Sequence, residues 1–216
     1  SIQEINNSLP NIVICHHYND YIYYKKYYLQ HYLNIQFFYI PHCCNKNIFK
    51  DYNLNKIYDI TISGAFGKSI LGNHYPIRQR ISSLVFKHLK NKYNIYYHKH
   101  PGYTLEDAHT NKYCKQLAQI YNQSKICITC SGKPKSRFGK YVEIPSCNSI
   151  ICGDIPETQN EEIKELNNIM IVINENDDDN CIIQKIVNVL DNKSLYENLK
   201  NKSYKWSKKY SQKKYA

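Results

Sequence analysis

The chain has 216 residues, 42% of them hydrophobic, which is enough for one large domain or two small ones with a packed core. Nine scattered cysteines exclude the disulfide framework of a small secreted domain, and neither a signal peptide nor an apolar stretch long enough to span a membrane occurs. The formal net charge of +11 fits a nucleic acid, an anionic membrane or a phosphorylated ligand as partner. We therefore expect a soluble protein of a reducing compartment such as the cytoplasm.

The basic charge has a second explanation in codon usage. Tyr occurs 22 times, and Asn, Lys and Ile are frequent throughout the chain; all four residues have A/T-rich codons. An A/T-rich genome, such as that of a giant virus or a protist, therefore accounts for the composition as well as a functional demand does. A viral source would place the protein in the host cytoplasm or a virus factory.

Short apolar runs alternate with amphipathic segments along the chain. We predict strands at residues 11–16, 35–40, 57–63, 94–98, 125–130, 149–152 and 169–173. We predict helices at residues 18–33, from Pro76 onward, at 107–121, around Glu143, at 161–166, after the acidic triplet 177–179 and at 195–210. This alternation is typical of a doubly wound, mostly parallel sheet, so the predicted fold class is α/β and Rossmann-like.

The same pattern divides the chain into four parts. Residues 1–40 hold about one β/α unit, which is an incomplete domain, and residues 41–56 form a polar connector. Residues 57–195 contain the main alternation of strands and helices, and residues 196–216 form a basic C-terminal helix. We expect the ligand-binding domain to be residues 57–195.

The segment from Arg137 to Glu157 carries the most informative pattern. Arg137 and Lys140 flank the start of a predicted helix that holds a single acid, Glu143. Basic side chains next to a helix N-terminus suit a diphosphate, and a carboxylate one turn further along can accept hydrogen bonds from two vicinal hydroxyls, as on a ribose. A diphosphate and a ribose together describe a nucleotide-sugar. The alternative is solvated surface charge, which is the usual role of such residues.

Three further places are candidates for contacts with such a ligand. Ser63 and Gly64 end the first strand of the main domain, where small residues let a ligand approach the backbone; a plain turn explains them equally well. Arg78 lies near the start of its helix, where the helix dipole disfavours a cation unless a phosphate or carboxylate is near. His100 follows a strand directly before Pro101 and is a candidate for the same cleft.

At these residues the sequence resembles a known family. The stretch K-Y-V-E-I-P-S-C-N-S-I-I-C-G-D-I-P-E (140–157) is similar to the donor-site segment of GT-B glycosyltransferases, in particular the group-1 branch typified by spore-maturation glycosyltransferases. Four further segments fall in the order found in that family, namely I-P-H-C-C-N-K-N-I-F-K (40–50), K-I-Y-D-I-T-I-S-G-A (56–65), Y-P-I-R-Q-R-I (75–81) and H-K-H-P-G-Y (98–103).

The resemblance implies a GT-B C-terminal domain that binds a nucleotide-sugar, with Glu143 holding the donor ribose. It implies a glycan or protein acceptor and a catalytic base, where one is needed, from the N-terminal acceptor-side domain. Residues 1–40 would be a remnant of that domain, so another domain or chain would complete the acceptor site, and a fragment alone need not be active. Lys135 stands where the first acid of a frequent E-x7-E pair is expected, which leaves retaining and inverting chemistry open.

Other polar patterns are explained without a ligand, so we expect neither a metal nor another cofactor. His98 and His100 share one face of a strand but have no evident third metal ligand. The acidic triplet 177–179 directly precedes a helix, which favours an N-cap over a metal site. Cys127 and Cys130 point to opposite faces of a strand, which favours core packing over a zinc half-site.

Two functions follow from these observations. The first is a glycosyltransferase that moves a sugar from a nucleotide-sugar to an acceptor, with catalytic residues, sugar and nucleotide unassigned. The second is a non-catalytic basic module that binds nucleic acid or an anionic glycan, because tyrosines interleave with lysines at residues 23–28 and 204–215 and could stack on bases. No recognised nucleic-acid-binding motif accompanies them.

Overall fold

The structure is a computed structural model and describes residues 2–30, 34–66, 68–69, 72–101 and 111–215. The strands are β1 (Ile12–Cys15), β2 (Gln36–Tyr39), β3 (Tyr58–Ser63), β4 (Lys68–Ser69), β5 (Gly72–Asn73), β6 (Ile95–His98), β7 (Ser124–Ile128), β8 (Ile150–Gly153) and β9 (Ile171–Val172). The helices are α1 (Ile2–Ser8), α2 (Tyr18–Gln30), α3 (Pro76–His88), α4 (Asn111–Asn122), α5 (Lys140–Ser146), α6 (Asn160–Asn167), α7 (Asp179–Asp191), α8 (Lys193–Ser207) and α9 (Gln212–Tyr215). The first residues of the predicted helix 107–121, up to residue 110, lie outside the described part.

Five strands form one parallel sheet in the order β6-β3-β7-β8-β9. Every neighbouring pair in it runs parallel, so that Ile60 of β3 lies between Ile95 of β6 and Ile126 of β7. The chain first adds β6 on one side of β3 and then continues on the other side with β7, so the strand order reverses between β3 and β7. Ligands of open α/β sheets bind beyond the carboxyl ends of the strands at such a point. The predicted α/β, Rossmann-like fold is confirmed.

Apolar side chains on both faces of this sheet form two core clusters. On one face Ile60 and Ile128 pack with residues of α3 and α7, and on the other Cys127 and Ile151 pack with residues of α4 and α5. Burial of each such isoleucine contributes roughly 1.5–3 kcal/mol. Because helices cover both faces, the strands are continuous apolar runs. Cys130 belongs to the first cluster and Cys127 to the second, and both are free thiols, so they pack in the core as predicted.

The acidic triplet begins α7. Asp178 is its N-cap, because the Asp178 carboxylate accepts a hydrogen bond from the Cys181 backbone N–H at 2.7 Å. The next carboxylate, Asp179, forms an ion pair of 2.6 Å with Arg80 of α3. The triplet therefore has the capping role that the sequence predicts.

A second parallel sheet consists of β1 and β2 alone. One of its faces packs against α2, where the Tyr28 ring stacks on Phe37 with centroids 5.4 Å apart. Ile12, Ile14 and Phe38 lie on exposed surface, and the first two are 57% and 54% exposed. We call the surface of these three residues the open face. Parallel sheets are ordinarily covered on both sides, so the open face is unusual for a sheet of this kind.

The C-terminal segment returns to the connector. Helix α8 ends at Ser207, earlier than the predicted residue 210, and Ser211 then forms a parallel bridge with Cys44. The Cys44 N–H donates to the Tyr210 carbonyl, and the Gln212 N–H donates to the Cys44 carbonyl, each at 3.3 Å. These bonds fix the end of the chain to the connector between the two sheets.

Candidate ligand-binding site

A cavity of about 570 Å³ lies beyond the ends of β3 and β7, where the strand order reverses. This volume falls in the range of small-molecule sites. Its lining residues are His42, Gly64, Ala65, Tyr75, Arg78, His100, Thr129, Cys130, Phe138, Gly139, Lys140 and Glu143. Another depression, of about 530 Å³, runs along α7, away from the point where the strand order reverses. We therefore assign the candidate site to the cavity at the reversal point.

Two cations meet at Gly64. A Cβ atom added to Gly64 would lie 2.7 Å from Nη1 of Arg78 and 2.8 Å from Nζ of Lys140, so the guanidinium and the ammonium are close neighbours. Arg78 is 3% exposed and lies over the Tyr75 ring at 3.9 Å. Two unit charges about 5 Å apart repel by about 3 kcal/mol at an effective dielectric constant of 20. We call Arg78 and Lys140 the cation pair.

The cation pair forms no ion pair with any carboxylate that the structure describes. Within the part of the chain that the structure describes, neither Arg78 nor Lys140 lies within 4.0 Å of an acidic oxygen. The guanidinium donates one short hydrogen bond to the Ala65 carbonyl, and its Nε is buried without a partner among the described residues. Buried charges are normally paired, so this arrangement has the electrostatics of an anion site.

Lys140 reaches the cavity from the first position of α5. Its ammonium donates to the Ser63 hydroxyl at 3.0 Å. Burial, together with the positive charge of Arg78, lowers the pKa of Lys140 to about 8, while Glu143 acts in the opposite direction. At neutral pH the charged form is therefore retained but is less favourable than on a free lysine, which an anionic ligand would correct.

Glu143 follows Lys140 by three residues on the same short helix, so both side chains reach the cavity. Burial raises the pKa of Glu143 to about 7, and the charge of Lys140 opposes this rise. Both side chains keep some exposed surface because they line the cavity. No hydrogen bond or ion pair to the Glu143 carboxyl group occurs among the described residues, which leaves its carboxyl oxygens available to a ligand.

Histidines form another part of the cavity wall. His42 comes from the connector, and its ring centroid lies 5.3 Å from His16 and 5.2 Å from His17. Burial and these two neighbours lower the pKa of His42 to about 4, so it is neutral at pH 7. The pKa of His100 is also lowered, by burial and then by Lys140 and Arg78. The wall therefore adds polar groups without adding positive charge.

Arg137 lies outside the cavity lining. Its Nε is 2.6 Å from Oε1 of Glu162, and the two side chains are only 1% and 4% exposed. Its Nη2 donates to the His42 carbonyl at 3.0 Å, and the guanidinium lies over the Tyr210 ring at 4.7 Å. This side chain joins the loop before α5 to α6, the connector and the C-terminal segment, which is a structural arrangement.

The seven site residues predicted from the sequence differ in whether they line the cavity. Five of them line the cavity together, namely Gly64, Arg78, His100, Lys140 and Glu143. Ser63 is fully buried beneath the lining and contacts it through Lys140, whereas Arg137 is in the ion pair with Glu162. The sequence does not single out His42, Tyr75 or Phe138, because their position in the cavity depends on how the connector and loops pack.

Two further findings concern metal binding and membrane-spanning helices. Among the described residues, no group of three or more His, Cys, Asp or Glu side chains is arranged to hold a metal ion. Across the same residues, no helix combines the length and the apolar character that a membrane span requires.

Comparisons with solved structures identify glycosyltransferases with a similar fold. The pneumococcal O-GlcNAc transferase GtfA, in complex with UDP and GlcNAc, aligns with 99% of this chain at a TM-score of 0.59 and 14% identity. Sucrose-phosphate synthase from Thermosynechococcus elongatus aligns with 94% of this chain at 0.58 and 16% identity. TarM aligns with 94% at 0.54 and 13% identity.

These alignments cover 45%, 55% and 41% of the three solved chains, so this chain spans about half of their length. No family model matches the chain, and no curated protein does. At identities this low, the likeness establishes the fold alone. The chain therefore has the Rossmann-like fold of a GT-B domain, with a cavity at the carboxyl edge of its sheet that the cation pair and Glu143 line together.

Proposed function

We propose that this chain supplies the donor-binding half of a glycosyltransferase, which moves a sugar from a nucleotide-sugar to a glycan or protein acceptor. The observation that carries the proposal is the cation pair. Arg78 and Lys140 lie next to each other at Gly64 without an acidic partner among the described residues. A diphosphate would turn their mutual repulsion into attraction to a shared anion.

The chemistry of the cation pair suits a diphosphate in particular. A guanidinium can donate two parallel hydrogen bonds to one phosphate, and an ammonium acts as a compact point charge for the next. Gly64 has φ +106° and no side chain, so the anion can approach the backbone between the two cations. Because these residues supply two positive charges, the proposed site needs no metal ion to neutralise the leaving diphosphate.

Glu143 extends the proposal from the diphosphate to the ribose. Its carboxyl group is the acid closest in sequence to Lys140 and lines the same cavity. A carboxylate accepts hydrogen bonds strongly and can serve two vicinal hydroxyls at once. We therefore place the ribose at Glu143 and the diphosphate at the cation pair.

The solved structures support this proposal through the fold. GtfA is an O-GlcNAc transferase and is in complex with UDP and GlcNAc. We propose UDP-sugars as the first donors to test in this chain, and GDP-sugars as the second. The sugar itself is left to experiment, because the cavity wall contains neutral histidines and aromatic rings that many sugars could contact.

The acceptor half of the site would come from elsewhere. This chain spans about half of the solved chains, and its β1–β2 unit has an open face of Ile12, Ile14 and Phe38. A parallel sheet that leaves apolar residues in water is expected to be covered by another α/β layer. We propose that a further domain or another chain covers the open face and completes the acceptor site.

A binding experiment with a matched arginine pair tests the proposal. Isothermal titration would compare UDP and GDP with the corresponding nucleosides in wild type, Arg78→Met and Arg80→Met. Arg78 and Arg80 lie on the same helix, but Arg80 pairs with Asp179 and is absent from the cavity lining. We expect Arg78→Met to weaken diphosphate binding at least tenfold and Arg80→Met to have little effect.

Thermal shifts provide the control for the alternative function. A nucleotide-sugar at 100 times its Kd should stabilise the protein by about 2.7 kcal/mol, and a single-stranded oligonucleotide should not compete with it. Tight oligonucleotide binding with no response to any nucleoside diphosphate would instead favour a basic nucleic-acid-binding module and reject the donor site.

A further inference from the structure

Lys140 is joined to a pair of hydroxyl groups inside the core. Its ammonium donates to the Ser63 hydroxyl at 3.0 Å, and the Ser63 and Tyr121 hydroxyl oxygens are 3.0 Å apart. Ser63 ends β3, Tyr121 lies on α4, and both are 0% exposed. Neither residue lines the cavity, so neither is placed to contact a ligand directly.

We propose that Ser63 and Tyr121 are positioning residues that hold the Lys140 ammonium beside Arg78, ready for a diphosphate. The inference rests on the proposed donor site and adds two core residues that act on it through Lys140 without lining the cavity. A lysine side chain has four rotatable bonds, and Arg78 repels its charged end. An attachment is therefore needed to keep Lys140 at Gly64 before a ligand arrives.

A hydroxyl group is suited to this attachment because it is neutral. A carboxylate would also hold the ammonium, but it would neutralise the charge that the diphosphate needs. The Ser63 hydroxyl is the hydrogen-bond partner of Lys140 within the described residues. It accepts from the lysine through one lone pair, so the full positive charge remains available at the cavity.

Tyr121 acts through Ser63. When Ser63 accepts a hydrogen bond from the ammonium, its own hydrogen can be donated to the Tyr121 oxygen, and each bond in such a chain strengthens the other. The burial of both hydroxyls in a packed core limits their movement. Removing either hydroxyl should therefore weaken the hold on Lys140, and the effect of Ser63 should be the larger.

Strand β3 provides a matched control at Thr61. Thr61 lies two residues before Ser63, on the same face of the strand, and is also 0% exposed. Its hydroxyl is 2.6 Å from the Ser124 hydroxyl and makes no hydrogen bond with Lys140. Thr61→Val therefore removes a buried hydroxyl bond from the same strand without affecting the lysine.

The experiment titrates inorganic diphosphate and UDP into wild type, Ser63→Ala, Tyr121→Phe and Thr61→Val between pH 6 and pH 9. Affinity of wild type for inorganic diphosphate should fall in two steps as the pH rises, because Glu143 gains a negative charge at a pKa of about 7 and Lys140 loses its positive charge at a pKa of about 8. The second step is the one that the variants should move. Ser63→Ala should weaken binding about tenfold, which corresponds to one hydrogen bond to a charged group. It should also shift the loss of binding at alkaline pH to a lower pH. Tyr121→Phe should weaken binding a few-fold and shift this loss in the same direction.

A second readout follows Lys140 without any ligand. The side-chain carbon signal of Lys140, assigned through Lys140→Met, can be titrated by nuclear magnetic resonance in each variant. A lower pKa of Lys140 in Ser63→Ala and Tyr121→Phe, with no change in Thr61→Val, would support the inference. Equal behaviour of Ser63→Ala and Thr61→Val in both readouts would overturn it.

The two readouts distinguish failure of the inference from failure of the proposed function. If wild type binds neither diphosphate nor UDP, the donor site is rejected, and the titration of Lys140 still decides whether the hydroxyls hold it. If Ser63→Ala does not fold, Tyr121→Phe carries the test, because it removes one oxygen and keeps the ring that packs in the core.

Discussion

The most informative perturbation of the donor site is Glu143→Gln, because it preserves the shape of the side chain and removes its charge. A Gln side chain retains one acceptor oxygen and replaces the other with an amide nitrogen. Each hydrogen bond to a charged group is worth about 1.5–3 kcal/mol. Losing the carboxylate should therefore reduce the affinity for UDP by about tenfold or more.

The structure predicts that this effect depends on pH. Burial raises the pKa of Glu143 to about 7, so the carboxylate is mostly ionised at pH 8 and mostly protonated at pH 6. Only the ionised form can accept charge-assisted hydrogen bonds from both ribose hydroxyls. The preference of wild type for UDP over 2′-deoxy-UDP should grow from pH 6 to pH 8, whereas the preference of Glu143→Gln should stay constant.

Isothermal titration of both nucleotides against both proteins gives a complete double-mutant cycle. A coupling of about 1.5 kcal/mol or more between the carboxylate and the 2′-hydroxyl would support ribose recognition. Additive losses would mean that the two groups do not meet, and the placement of the ribose at Glu143 would be wrong. A cycle that is measured at pH 6 should show less coupling and serves as an internal control.

Two further variants test other parts of the account. Arg137→Met leaves Glu162 as a buried acid without its cation, so chemical denaturation should show a loss of about 3–5 kcal/mol, while UDP affinity of the folded protein should stay within about twofold. A large loss of UDP affinity with normal stability would instead support the diphosphate contact predicted from the sequence. Gly64→Ala places a Cβ 2.7 Å from Arg78 and 2.8 Å from Lys140, so diphosphate affinity should fall more than nucleoside affinity in calorimetry; equal losses would contradict the position of the cation pair.

The sequence predicts the fold well because its strands are unusually clear. A parallel sheet covered on both faces requires continuous apolar runs, and runs such as Ile126–Ile128 and Ile150–Cys152 are buried completely. The short elements α1, β4 and β5 have no such periodic pattern and are not predicted. The early end of α8 depends on a distant pairing between Ser211 and Cys44, which no local propensity encodes.

The site is predictable to the extent that it follows the strand ends. Gly64, Arg78, Lys140 and Glu143 each lie shortly after a strand or at a helix start near the carboxyl edge of the sheet, and the general rule for α/β folds brings them together. His42 enters the cavity through the connector, and its placement depends on how the two sheets meet. Such long-range packing has no signal in a single sequence.

Arg137 shows the limit of reasoning from spacing. Its position before α5 is equally compatible with a contact to an anion in the cavity and with an ion pair to a neighbouring helix. The choice depends on Glu162, which is 25 residues away in sequence but lies 2.6 Å from the Arg137 Nε. A buried acid is seldom left unpaired, but its partner can be identified only once the fold is known.

The most direct test of the central claim is a crystal structure of this chain with UDP at saturating concentration. The account predicts the diphosphate within hydrogen-bond distance of the Arg78 guanidinium and the Lys140 ammonium, next to Gly64, with the ribose hydroxyls on the Glu143 carboxylate. Density for UDP elsewhere, for example on the exposed lysines of α8, with an empty cavity at the ends of β3 and β7, would contradict it.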